Sequence, residues 1–130
     1  MAEVGDSILN TVKKILGFEA DYKAFDLDII THINSTFFTL NQIGVGPKDG
    51  FMISDSEDTW SSFIGPEKIM AVKSYMALKV RLLFDPPSSS FVLESLNKQA
   101  TEMEWRLNVH MEGVNHPWTK PELITTDLLM

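Results

Sequence analysis

Apolar residues recur at helical spacing in four stretches of the chain, and glycine or proline separates each stretch from the next. The first stretch predicts a helix from Asp6 to Leu16. Asp6 serves as its N-cap, Ile8, Val12, Ile15 and Leu16 form its apolar face, and Gly17 is the permissive stop. An acidic connector follows, with Glu19, Asp21, Asp26 and Asp28 set against a single Lys23. Asp26 is placed to cap a second helix reaching about Gln42. Its residues Ile29, Ile30, Ile33, Phe37 and Leu40 project onto one arc, and Gly44, Gly46 and Pro47 end it.

Residues 44–65 break the pattern. Glycines at 44, 46, 50 and 65, Pro47 and four acids mark an irregular loop. Phe51-Met52-Ile53 is a candidate for a short strand. Trp60, Phe63 and Ile64, the loop's own candidate residues, have the spacing of a helical turn that plugs the loop onto the core. Pro66 and Glu67 then open a third helix, which Asp85-Pro86-Pro87 must end near Phe84, roughly 28 Å on. Its apolar residues form two adjoining stripes, Ile69, Val72, Met76, Val80 and Leu83 beside Ala71, Tyr75, Leu78 and Leu82. A helix apolar over more than half its circumference belongs at the centre of a bundle. Ser88-Ser89-Ser90 offers the N-cap of a fourth helix to about Met111, with Gly113 and Pro117 as its stop. Leu93, Leu96, Ala100, Met103 and Leu107 give it a packing seam, and Glu94–Lys98 and Glu102–Arg106 are favourable pairs on its outside. The fold class expected is all-α: a small four-helix bundle with an irregular 44–65 loop, in one domain over 1–112, and an extended C-terminal tail over 113–130.

Composition narrows the function. The chain has 130 residues, 44% hydrophobic and 22% charged, which suits one globular domain with a modest core. Eleven basic against eighteen acidic residues give a net charge of -7, and no basic cluster exceeds the pair Lys13-Lys14. Binding nucleic acid by phosphate neutralisation is therefore not expected. Cysteine is absent, which removes disulfides, thiolate metal sites and a cysteine nucleophile. The N-terminal segment carries acids early and has no basic-then-apolar signal pattern, and no apolar run is long enough to span a membrane.

Candidate chemistry is sparse. His32 flanks the apolar arc of the second helix, where a packed histidine is the ordinary reading. His110 and Glu112 cannot share a helix face, and His116 lies in the tail. Asp55-Ser56-Glu57-Asp58 lacks calcium-loop spacing and reads as a solvated acidic loop. Gly44, Gly46 and Gly50 match no phosphate-binding fingerprint, and no serine sits in a nucleophile frame. The expectation is no catalytic residue, no cofactor and no metal. Partner surfaces are better represented. Phe91, Trp105 and Val109 project opposite the seam of the fourth helix, either covering a neighbouring loop or anchoring another subunit. Trp118, Leu123, Ile124, Leu128 and Leu129 make the tail a second candidate contact.

Read in order, HINSTFFTLNQIGVGP (32–47), DTWSSFIG (58–65), YMALKVRLLFDPPSSSFVLESL (75–96) and EMEWRLN (102–108) resemble the head–tail connector, or head-completion adaptor, proteins of long-tailed bacteriophages. The resemblance covers roughly residues 6–112. It implies a helical bundle made in the bacterial cytoplasm and built into the virion as a ring of twelve copies beneath the portal. Such a ring extends the DNA channel, helps retain the genome and presents a surface to the next head-completion or tail-terminator protein. It also implies that DNA passes through the lumen without specific binding and that no membrane is involved. A reading of another class is a small acidic helical protein that binds and regulates one host or phage protein.

Overall fold

The computed structural model describes residues 6–115, with side chains as far as Val109. The order is α1 (Ile8–Leu16), α2 (Asp26–Gln42), α3 (Trp60–Phe63), α4 (Pro66–Phe84) and α5 (Ser90–Asn115). No strand occurs among the described residues, so the fold is an all-α bundle of five helices, one of them a single turn. The central member is α4, which packs against each of the other four. Val72, Tyr75, Met76 and Val80 are its fully buried residues. They meet Ile8, Leu9 and Val12 from α1, Ile29, Ile33, Phe37 and Leu40 from α2, and Ala100 and Leu107 from α5 in one core.

Several expectations at helix ends are corrected. Ser7, not Asp6, caps α1: its hydroxyl accepts from the Asn10 amide at 3.2 Å. Asp6 reaches across to α3 instead, where its carboxylate takes the Ser61 hydroxyl at 2.8 Å. Nor does Asp26 cap α2. It is the first residue of that helix, and its carboxylate lies 2.7 Å from the ammonium of Lys13, which is only 1% exposed. Lys13 also donates to the Ala20 carbonyl at 3.0 Å. A buried ammonium needs such partners, since desolvation without them costs several kcal/mol. One side chain thus fastens the connector between α1 and α2. Ile15 and Leu83, assigned to apolar faces, are exposed, and Leu9 takes the buried place on α1. Gly113 does not end the last helix, which continues to Asn115.

Segment 51–53 is not a strand. Its backbone is held by a side chain: Asn34 on α2 accepts from the Ile53 amide at 2.8 Å and donates to the Ile53 carbonyl at 3.0 Å. The carboxamide satisfies one residue's donor and acceptor together, as a neighbouring strand would. Further along the loop, Asp58 accepts from the Ser54 and Asp55 amides, and Ile8 donates to the Asp58 carbonyl at 3.1 Å. The loop folds so tightly over α3 that a β-carbon on Gly46, at φ +89°, would meet the Phe63 ring at 2.3 Å.

Two measurements check these anchors. Asn34→Ala leaves a donor and an acceptor of Ile53 without partners and is expected to cost about 2 kcal/mol in chemical denaturation. Asn34→Asp, which keeps only the acceptor, falls between the alanine variant and the parent. The second concerns Tyr75, whose hydroxyl donates to Glu104 on α5 at 2.6 Å. Burial first, then the hydrogen bond and charge of Glu104, push its pKa far above the ordinary 10.0. The native state therefore keeps this proton where the unfolded chain has lost it. Stability contributed by the group is full below pH 10.0 and declines as pH rises beyond it. Denaturation curves of Tyr75→Phe should show a smaller alkaline decline than the parent.

Candidate interaction surfaces

The seam of α5 faces α4 as its spacing predicts, with Ala100 and Leu107 buried and Leu93, Leu96 and Met103 half-buried. Polar contacts fix its placement. Glu104 accepts from Tyr75 and lies 3.6 Å from the Lys79 ammonium, while the Asn108 amide donates to the Ile43 carbonyl at 3.2 Å. Once those residues face inward, helical geometry carries Phe91, Trp105 and Val109 to the opposite side. They are 81%, 65% and 45% exposed, and no loop among the described residues covers them. The ion pairs Glu94–Lys98, at 3.8 Å, and Glu102–Arg106 lie on the outside of the helix. The face therefore leaves a large indole and a phenyl ring in water on a helix that already has a packed side.

The loop candidates are placed differently. Trp60 and Phe63 are buried in the core and Ile64 is half-buried, so the first two offer no surface to a partner. Trp60 donates from Nε1 to the Thr11 hydroxyl at 3.3 Å, and the Lys73 ammonium lies 5.8 Å from its ring centre. Phe63 packs against Phe37 and Phe51. Trp118, Leu123, Ile124, Leu128 and Leu129 lie outside the described residues.

Two further exposed groups escaped the reading of the sequence. Phe18, Tyr22 and Phe25 in the acidic connector gather around Phe84 at the end of α4, and His32 meets the edge of that ring at 6.2 Å. Tyr22 and Phe25 remain 47% and 39% exposed. Their spacing, three and four residues apart, was the available signal, masked by the intervening charges. Phe38 and Met52 stand exposed beside a groove between α2 and the loop. Among the described residues, no group of three histidine, aspartate or glutamate side chains is placed to hold a metal ion, and no helix is long and apolar enough to cross a membrane. Asp55 and Asp58 instead bond the amides of their own loop.

A helical bundle built on one central helix, with aromatic side chains exposed along its long outer helix, has the features of a module that acts through contacts. The comparison with family models makes this specific: residues 8–114 match the phage connector protein family, and the chain belongs to it. The match runs from the first residue of α1 almost to the last of α5 and takes in every described helix. This is a family of structural proteins of the head–tail connection rather than of enzymes. No curated protein and no solved structure matches the chain.

The geometry predicts that Phe91→Ala and Trp105→Ala leave the stability of the monomer within about 0.5 kcal/mol of the parent, since neither side chain fills the core. Thermal unfolding of both variants at low protein concentration checks this.

Proposed function

We propose that this connector is a head-completion adaptor, twelve copies of which close into a ring beneath the portal. The ring extends the DNA channel, helps retain the packaged genome and gives the next head-completion or tail-terminator protein its docking surface. The observation that carries this reading is the family match across the whole described bundle. A closed ring uses head-to-tail contacts, so each subunit needs two different contact faces. The exposed side of α5, with Phe91, Trp105 and Val109, is one; the tail residues Trp118, Leu123, Ile124, Leu128 and Leu129 are assigned to the other. A net charge of -7 without a basic cluster suits a conduit, because acidic walls repel the phosphates of sliding DNA rather than holding them.

Two experiments test the proposal. An early stop codon in this gene, followed by electron microscopy of the particles, should yield tailless heads that package DNA and leak it. Normal tailed, infectious virions would overturn the assignment in favour of an acidic protein that binds a single partner. Within the ring, Trp105→Ala should reduce assembly on portal-bearing heads by roughly tenfold or more, the usual penalty for removing an interface tryptophan. Assembly at the parental level would remove α5 from the interface.

A further inference from the structure

The exposed side of α5 has an order beyond its three apolar residues. Phe91, Ser95, Lys98, Glu102, Trp105 and Val109 follow one another at intervals of four, three, four, three and four, and all six are exposed. This is the spacing of a coiled-coil seam, set on the side of α5 away from α4. The helix therefore carries two seams: the inner one is filled by the bundle, and the outer one has no partner among the described residues.

The outer seam is symmetric about residue 100 in a way that selects its occupant. In an antiparallel pair, facing positions lie equally far on either side of the midpoint. Phe91 then faces the partner's Val109, apolar against apolar. Ser95 faces the partner's Trp105, small against large. Lys98 faces the partner's Glu102, cation against anion. Each of these layers occurs twice, and none sets like charge against like. A parallel pair in register would place lysine on lysine and glutamate on glutamate, which is unfavourable. From Phe91 to Val109 the seam is about 27 Å long, five turns of helix.

We infer that the outer seam of α5 binds a second copy of this chain, antiparallel, as a two-fold dimer. The local ion pairs do not stand in the way. Glu94–Lys98 and Glu102–Arg106 are exposed pairs whose exchange for contacts between subunits costs little. The dimer is isologous and closes on itself, so it covers Phe91 and Trp105 on both copies and stops growth at two. It is a state of the free protein, distinct from the head-to-tail ring: the dimer and the ring contact proposed above are alternative occupants of this face, so the dimer must open before a ring can use it. The inference stands on α5 alone, and its test needs neither portal nor ring, so it can fail while the adaptor reading stands.

The test is sedimentation velocity of the purified full chain from about 1 µM to about 1 mM, the range of weak association. The parent should pass from monomer to dimer. Lys98→Glu and Glu102→Lys each set like charges against one another in two layers and should remain monomeric over the same range. The double variant Lys98→Glu/Glu102→Lys restores opposite charges across the seam and should recover the dimer. Circular dichroism should be the same for all four proteins, because both side chains are exposed. A parent that stays monomeric or passes directly to larger rings, single variants that dimerise as the parent does, or a double variant that stays monomeric would each overturn the inference.

Discussion

The contact of α4 with all four other helices is the constraint from which the rest of the structure follows. The side of α4 that carries Val72, Tyr75, Met76 and Val80 lies out of water, and a polar group on that side must find its partner within the bundle. Tyr75 shows how: fully buried, it donates a hydrogen bond from its hydroxyl to Glu104, which the Lys79 ammonium also approaches. The contact joins the centre of the bundle to α5 and sets which side of that helix turns inward. What α5 then shows to the outside is determined from the core.

The irregular loop solves a related difficulty without a sheet. A stretch of irregular backbone against a helix has donors and acceptors that the helix backbone, already bonded to itself, cannot meet. Side chains meet them here: Asn34 brackets Ile53, and Asp58 caps the turn before α3. Trp60 and Phe63 then close the loop over the core, which is why α3 needs only one turn. These contacts give the second half of the loop a fixed shape although it contains almost no regular structure.

The helices were largely legible in the sequence because their signals are local. Pro66 and Asp85-Pro86 bound α4 at the residues the structure shows, and the seam of α5 reads directly from its leucines. What escaped depended on distance. Asp26 looks like a cap until the fold brings Lys13 to it, and Asp6 looks like one until Ser61 claims it. Phe51-Met52-Ile53 has the composition of a strand, and only the position of Asn34 decides otherwise. The ring cluster around Phe84 combines residues from opposite sides of α2 in the chain, so spacing alone could not assemble it. Of the candidate surface, the exposure of Phe91, Trp105 and Val109 was readable from periodicity. Trp60 and Phe63 plug the loop onto the core through one helical turn, as their spacing predicts.

The pair of the buried Lys13 and the half-buried Asp26 also bears on how this sequence can change over time. Losing Asp26 strands the Lys13 ammonium out of water, a step that costs about 3–5 kcal/mol, whereas Asp26 keeps some access to water when Lys13 is lost. That is a large share of what holds a small domain together. Descendants that lose Asp26 first must pass through a weakened ancestor, so the easier route to an uncharged alternative replaces Lys13 first. The connector between α1 and α2 is thus an inherited commitment, harder to revise than the exposed residues around it.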